Sequence, residues 1–204
     1  MSRYSGPRVK RMRALGLNLP GLSRKSIERR PYPPGQHGGD RRRKESDYGR
    51  QLKEKQKLRF NYGLGERQLR RLVVDARRSK METGKKLIEL LERRLDNVVF
   101  RAGFAPTIPA ARQLVNHAHI MVNGRRVDIP SFQVSAGDII TVRDRSRKLQ
   151  ILKDSLESPS LQKPDWMTID GGDLKATVDS LPDETSVPFP LEVQLIVEYY
   201  ARML

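Results

Sequence analysis

The sequence predicts an α+β protein in which basic amphipathic helices precede a compact module of helices and a β-hairpin. Apolar residues recur at helical spacing through much of residues 46–118, and short apolar runs follow from residue 120. Asn123-Gly124 separates two of these runs and favours a type I′ hairpin, because both central residues of that turn need a positive φ. The net charge is +16, from 40 basic and 24 acidic side chains. A large cationic surface is therefore expected on this fold.

The positive charge is unevenly distributed along the chain. Residues 1–90 carry 26 basic and 9 acidic side chains, residues 91–155 carry 11 and 6, and residues 156–204 carry 3 and 9. Such an excess repels itself unless a polyanion neutralises it, which indicates nucleic acid, an anionic membrane surface or an acidic protein as partner. The asymmetry between segments favours nucleic acid. The alternative is a solvated basic tail that binds nothing.

Residues 1–45 are predicted to form an extended basic arm that becomes ordered only against its partner. They contain charge and turn formers but little apolar periodicity, and residues 31–39 are rich in proline and glycine, which excludes a helix there. Tyr4 and Tyr32 either stack on nucleobases or pack on the body of the protein.

Residues 46–90 predict a helical domain. Ser46 offers an N-cap for the first helix, and Gly63 and Gly65 end it. The second helix is expected from Glu66 to about Ser79, and the third is expected to start near Thr83 and to keep its apolar stripe as far as Val98.

Residues 91–155 predict the helix-and-hairpin module. The helix that carries Leu91 is expected to continue to Arg101, and a second helix is expected after a Thr107 cap. Strands are expected at residues 120–122, 125–127 and 138–142. Further strands are expected at residues 166–170 and 174–178, followed by a terminal helix from Pro190.

The residue types argue against catalysis, metals and membranes. The chain has no cysteine, so disulfides, thiolate catalysis and cysteine-based zinc sites are excluded. His117 and His119 point about 200° apart on a helix and lack a third ligand, and residues 63–65 lack the rest of a phosphate-binding loop. No apolar stretch approaches the roughly 20 residues of a spanning helix, and the N-terminus lacks a secretory signal. We expect an intracellular, soluble protein with no metal, no cofactor and no enzymatic activity.

Several landmarks in residues 91–142 occur in the order of a known module. They include Arg94-Leu95-Asp96-Asn97, residues 111–115, residues 117–120, Val122-Asn123-Gly124 and Pro130-Ser131-Phe132. This run resembles the alpha-L RNA-binding module. Residues 33–38, 164–167 and 194–202 resemble other parts of the small-subunit ribosomal protein four family, so the likeness spans nearly the whole chain. Because it has no cysteine, the chain resembles the cysteine-free bacterial or plastid members of this family. The resemblance implies that the arm binds no metal.

The resemblance implies a domain order. The C-terminal helix would return to complete the N-terminal helical domain, and the alpha-L module, helices packed on a small mainly antiparallel sheet, would be an insertion. The expected parts are the arm (1–45), the helical domain (46–90, with 187–204), the RNA-binding module (91–155) and a sheet extension (156–186). Arg94-Leu95-Asp96 also resembles a pseudouridine synthase motif, but too little chain follows for that catalytic domain. Asp96 is expected to orient arginines or cap backbone donors.

The resemblance also implies a function. Members bind the 5′ domain of the small-subunit rRNA, nucleate assembly of the subunit body and contribute to decoding accuracy with neighbouring proteins five and twelve; contact with mRNA at the entry channel is implied too. The location would be a bacterial cytoplasm or a plastid stroma. The competing hypotheses are a stand-alone RNA chaperone with the same module and a truncated RNA-modifying enzyme.

The expected RNA contacts are basic or polar residues of the arm, the helices and the module. They are Arg8, Lys10, Arg13, Arg24, Arg41, Arg42, Arg43, Arg50, Arg70, Arg71, Arg93, Arg94, Asn97, Arg101, Arg112, His117 and His119.

Overall fold

The computed structural model describes residues 4–39 and 45–203. Within these residues the chain forms eight α-helices and one five-stranded antiparallel sheet, which confirms the α+β prediction. The helices are α1 (Arg8–Leu15), α2 (Asp47–Asn61), α3 (Glu66–Arg78), α4 (Thr83–Glu92), α5 (Leu95–Arg101), α6 (Ile108–Asn116), α7 (Gln150–Glu157) and α8 (Val193–Ala201). The strands are β1 (Ile120–Val122), β2 (Arg125–Arg126), β3 (Ile139–Val142), β4 (Met167–Asp170) and β5 (Lys175–Val178).

The chain divides into two compact units. The first comprises the described parts of residues 1–87 and 189–204, and the second comprises residues 88–188. In the first unit α8 packs on α2 and α3. The hydroxyl of Tyr200 donates to Glu66 Oε1 at 2.7 Å, and Gln51 Nε2 donates to Glu198 Oε2 at 3.0 Å. These two bonds join α8 to α2 and to the first residue of α3.

The predicted extended arm is largely folded. Residues 8–15 form α1, and Met12, Leu19, Leu22 and Ile27 are buried. The backbone N–H of Gly21 donates to Asn61 Oδ1 at 2.9 Å, which fixes the arm on α2. The prediction was wrong here because these apolar residues follow no helical or strand period, although together they bury enough surface to order the segment. Arg41, Arg42 and Arg43 lie outside the described residues.

The predicted continuous helix from Thr83 to Arg101 is broken at Arg93 and Arg94. Arg94 has an extended backbone (φ −64°, ψ 135°), so α4 ends at Glu92 and α5 starts at Leu95. Residues 93–96 pair instead with residues 130–134: the N–H of Val134 donates to Arg93 O at 2.9 Å and that of Leu95 to Phe132 O at 2.9 Å. The apolar period continues across the break, since Leu91, Leu95 and Val98 are all buried, and this continuity concealed the break.

The second unit contains the sheet, with strand order β2-β1-β3-β5-β4. The hairpin turn has φ values of 49° at Asn123 and 74° at Gly124, as the type I′ prediction requires. β4 and β5 extend the sheet beyond the hairpin, close to their expected positions. Helix α7, which buries Leu152 and Ser155, was not predicted.

Two helix caps agree with the sequence. The Ser46 hydroxyl accepts from the N–H of Gly49, and the Thr107 hydroxyl accepts from that of Ala110, so each satisfies a donor of the first turn. α8 starts at Val193, three residues later than expected. None of the helices formed by the described residues has the length and apolar content needed to cross a membrane.

Candidate nucleic-acid interface

Helix α3 carries a stripe of exposed arginines. Leu69, Val73 and Ala76 form its buried face. The opposite face presents Arg67, Arg70, Arg71 and Arg78, which recur three, four or seven residues apart and therefore share one side of the helix. We call these four residues the α3 arginine stripe.

The α3 arginine stripe lines a shallow groove of about 410 Å³. The same groove contains Val74 and one acidic residue, Asp75. Asp75 Oδ1 lies 3.9 Å from Arg78 Nη1, a solvent-exposed pair that contributes little stability. Arg70 Nη2 also donates to the Met203 carbonyl at 3.4 Å. Each guanidinium group presents a planar set of donors that matches the bidentate geometry of phosphate oxygens.

The arm presents a second cationic surface in the first unit. Lys10, Lys25, Arg29 and Arg30 are exposed and line a groove of about 480 Å³ together with Arg13. We call this the arm groove. No residue that lines it within the described chain is acidic. Its potential therefore favours an anion.

The residues of the arm and of α2 that were predicted to contact RNA differ in their exposure to solvent. Arg8, Lys10 and Arg24 are exposed, and Arg8 Nη1 donates to the Leu22 carbonyl at 3.4 Å. Arg13 is half-buried, and its guanidinium bonds to three carbonyls of residues 30–33. Arg50, on α2, is exposed and pairs with Asp47, which raises the pKa of its guanidinium through the hydrogen bond and the charge of that carboxylate.

In the second unit Asp96 joins two arginines that are distant in sequence. Its carboxylate, only 1% exposed, accepts from Arg94 Nε at 3.0 Å and Nη2 at 2.8 Å. It also accepts from Arg112 Nε at 3.0 Å and Nη2 at 2.6 Å, and from the N–H of Asn97 at 3.0 Å. Asp96 therefore orients arginines and caps the start of α5, as the sequence indicated, and two arginines on one carboxylate leave a net positive charge.

A neighbouring cluster surrounds Glu92. Asn97 Nδ2 donates to Glu92 Oε2 at 2.9 Å and to its carbonyl at 3.1 Å. Arg101 Nε lies 3.4 Å from Glu92 Oε2, which is within ion-pair distance but outside hydrogen-bond geometry. Arg101 Nη2 donates to the Ser186 carbonyl at 2.7 Å. Buried polar contacts therefore hold both the first turn of α5, at Asn97, and its end, at Arg101.

The structure corrects the prediction of RNA contacts at Arg94, Asn97 and Arg101. All three are buried, and their polar groups are directed into the unit. The helix face was misassigned because α5 is covered on every side; each of its seven residues is buried. Charged groups in that position require internal partners, since an unpaired buried charge is strongly destabilising.

Arg93 and Arg112 lie at the boundary between interior and surface. Arg93 donates to Glu89 Oε1 at 2.8 Å and to the Val134 carbonyl at 2.7 Å, and its side chain is 18% exposed. The Arg112 side chain is 15% exposed and is held by Asp96. Both side chains keep a small exposed fraction, and their guanidinium groups are held by carboxylates of the same unit.

His117 and His119 follow the end of α6. Ala118 between them has φ +58°, so the helix geometry assumed for this pair does not apply, and the two ring centroids are 6.0 Å apart. His117 is exposed, whereas His119 Nδ1 lies 2.8 Å from Ser146 Oγ. Burial, then the charges of His117 and Arg143, lower the pKa of His119, so it is a neutral hydrogen-bonding group near pH 7. Across residues 4–39 and 45–203 no three His, Asp or Glu side chains are grouped to hold a metal ion.

Several exposed cations were not among the expected contacts. On α3, Arg67 and Arg78 belong to the same stripe as Arg70 and Arg71, and a helical wheel would have selected them. In the arm groove the omitted residues are Lys25, Arg29 and Arg30, whose shared location depends on the fold. The second unit exposes a further set: Arg125, Arg126, Arg143, Arg145, Arg147 and Lys148.

Comparison with known proteins supplies an independent observation. Residues 3–92 match the family described as "Ribosomal protein S4/S9 N-terminal domain", and residues 93–140 match the "S4 domain". Similar proteins include "Small ribosomal subunit protein uS4" of Methylobacillus flagellatus, 60% identical over 205 residues and covering 100% of both chains. The uS4B protein of Nitrosomonas europaea is 56% identical over 100% of both chains, and uS4 of Thermosynechococcus vestitus is 52% identical over 99% of each.

Proposed function

Because the chain belongs to the small ribosomal subunit protein uS4 family, we propose that it is a structural constituent of the small ribosomal subunit and binds the rRNA of that subunit. Its relatives are ribosomal proteins rather than enzymes, which confirms the prediction that the chain has no catalytic activity. Such a protein stabilises a particular RNA fold. It does so through complementary charge and shape, and it catalyses no reaction.

The α3 arginine stripe is the observation that carries this proposal. Four guanidinium groups share one exposed face, beside a groove that contains a single carboxylate. Each phosphate neutralised by such a group releases condensed counterions, and this release supplies much of the affinity for RNA. The arm groove in the same unit adds four exposed cations and Arg13.

In the second unit, a rigid module favours recognition of RNA shape. Arg93 and Arg112 are fixed by Glu89 and Asp96 and remain partly exposed, so little side-chain entropy would be lost if they met phosphates. His117, which follows the helix that carries Arg112, adds an exposed hydrogen-bonding side chain. Structured RNA is recognised mainly by backbone geometry and by splayed bases, for which fixed donors are suited.

We place the binding site in the 5′ domain of a 16S-type rRNA. Binding there would favour the folded form of an RNA junction and so nucleate assembly of the subunit body, since a ligand shifts its target towards the state that it binds best. The partners that we propose for the chain are small-subunit proteins five and twelve and mRNA at the entry channel. With these two proteins the chain would contribute to decoding accuracy. The location is the cytoplasmic ribosome of a bacterium rather than a plastid stroma.

Binding of the full chain to rRNA fragments at several salt concentrations tests the proposal. Tight binding confined to the 5′-domain fragment, with an affinity that falls steeply with salt, is the expected result. Equal affinity for unrelated structured RNAs would favour the alternative, a stand-alone RNA chaperone with the same module, and would overturn the ribosomal proposal.

Removal of three arginines from the stripe tests its role. The variant Arg67→Gln/Arg70→Gln/Arg71→Gln should reduce the slope of log affinity against log salt by about 2, because each lost phosphate contact removes roughly 0.7–0.9. The matched control is Lys153→Gln/Lys163→Gln/Lys175→Gln, which removes the same charge from exposed positions outside the stripe. An equal change of slope in both variants would mean that net charge, rather than the stripe, is responsible.

A further inference from the structure

Tyr32 is an exposed aromatic ring held on an arginine. Tyr32 is 44% exposed, and the Arg13 Cζ atom lies 4.9 Å from the centroid of its ring. The Arg13 guanidinium is itself fixed: Nε donates to the carbonyls of Arg30 and Tyr32, both at 3.0 Å, and Nη2 donates to that of Pro33 at 3.3 Å. One face of the ring is therefore supported by a rigid cation, and the exposed remainder faces solvent.

The segment that carries Tyr32 is stiff. Pro31, Pro33 and Pro34 surround it, and each proline restricts its own φ to about −65°. Gly38 closes the segment so tightly that a Cβ at this position would lie 1.9 Å from the Pro33 carbonyl oxygen. A ring fixed in this way loses little conformational entropy when a planar ligand is laid upon it.

The arm groove lies beside this ring, because Arg13 contacts both and Pro34, two residues after Tyr32, lines the groove. Arg13 supports the ring and also lines the groove with Lys10, Lys25, Arg29 and Arg30. An aromatic platform next to a cationic groove without carboxylates is the combination that holds single-stranded nucleic acid, with a base on the ring and phosphates along the groove.

We propose that Tyr32 is a stacking platform for one unpaired nucleobase of the bound RNA, whose flanking phosphates occupy the arm groove. This inference rests on the proposed function and adds the ligand class of one subsite. A base inside a duplex is excluded, because its faces are already covered by neighbouring bases. A protein partner is disfavoured, because most of the described residues that line the groove are cations and none of them is acidic.

The test uses the full chain and a short oligouridine that contains one 2-aminopurine, whose fluorescence falls when it stacks. Wild-type protein should quench the single-stranded probe but not the same probe in a duplex. Tyr32→Ala should abolish the quenching and weaken binding about tenfold or more, the loss expected for one base–aromatic stack. Tyr32→Phe and Tyr32→Trp should retain both, since the ring rather than the hydroxyl makes the contact.

Tyr48→Ala is the matched control. Tyr48 is a 48% exposed tyrosine of the same unit whose ring neighbours Tyr199, with centroids 5.8 Å apart, rather than the Arg13 guanidinium. This variant should bind and quench like wild type. Unchanged quenching in Tyr32→Ala, with normal circular dichroism, would overturn the inference.

The two proposals fail in distinguishable ways. If wild type binds the 5′-domain rRNA fragment but does not quench the single-stranded probe, the platform is refuted and the ribosomal function stands. If wild type binds neither RNA, the proposed function fails first.

Discussion

Asp96→Asn should strongly destabilise the second unit. The Asp96 carboxylate accepts five hydrogen bonds, four of them from the guanidinium groups of Arg94 and Arg112. Asparagine keeps the shape but replaces one oxygen with an NH₂ group that faces these donors and removes the neutralising charge. Arg94 is only 5% exposed, so its charge would remain buried without a counterion.

The size of the loss follows from this burial. Removal of one partner from a buried ion pair costs about 3–5 kcal/mol, because the remaining charge keeps its desolvation penalty. With a urea m-value of about 1.5 kcal/mol/M for a domain of this size, the midpoint should fall by about 2–3 M.

Trp166 reports this transition. It is the chain's single tryptophan, it lies in the second unit, and it is 6% exposed. Its fluorescence should therefore follow urea unfolding of that unit. Asp144→Asn is the control: Asp144 pairs with Arg147 at 3.1 Å, but its side chain is 93% exposed, so the midpoint should hardly change. A midpoint for Asp96→Asn within about 0.5 M of wild type, at equal m-value, would refute the view that Asp96 holds the module together.

Two further perturbations concern the first unit. Tyr200→Phe removes the 2.7 Å bond to Glu66; because Glu66 is 44% exposed, we expect a loss of about 1 kcal/mol rather than the larger value of a buried charged bond, seen as faster amide hydrogen exchange in α8. Exchange unchanged in α8 would show that the bond does not stabilise the helix. The same bond has a pH signature. Burial raises the pKa of Glu66, but the hydrogen bonds from Tyr200 and Lys55 outweigh it and leave the pKa below its ordinary 4.5. This contribution is therefore complete above pH 4.5 and is lost as pH falls through the lower folded-state pKa; protection of α8 should decline over that range, and less so in Tyr200→Phe. Equal acid sensitivity of both proteins would contradict this assignment. Gly38→Ala should loosen residues 31–38 by about 1–3 kcal/mol, since its Cβ meets the Pro33 carbonyl, and limited proteolysis there measures it. Gly39→Ala, which meets nothing within 4 Å, is its control, and equal cleavage of both variants would refute the close approach.

Sequence patterns correctly predicted those features that depend only on interactions between residues close together in the chain. Ser46 and Thr107 were expected to cap helices and do so, because a cap needs only its own first turn. Asn123-Gly124 forms the expected turn, because its two residues accept positive φ. The buried stripe of α3 follows the 3.6-residue period, and its arginines therefore had to lie on the other faces.

The interface residues depended on distant segments. The arm groove and the Tyr32 platform exist because Arg13 reaches carbonyls up to 20 residues away, which no local period could indicate. The break at Arg93 and Arg94 likewise depends on residues 130–134, which offer backbone partners that a continuous helix could not use.

The sequence by itself determined the α+β class, the helix stripes, the hairpin, the family resemblance and the cationic character of the first 90 residues. These depend on composition, on residue order and on interactions within a few residues. Only the tertiary structure decided which cations are available to a partner. Arg94, Asn97 and Arg101 are enclosed by the second unit, whereas Arg67 and Arg78 remain at the surface of the first unit. The physical reason is that desolvation depends on what the rest of the chain places around a side chain, and a buried charge must then find its partner inside the protein.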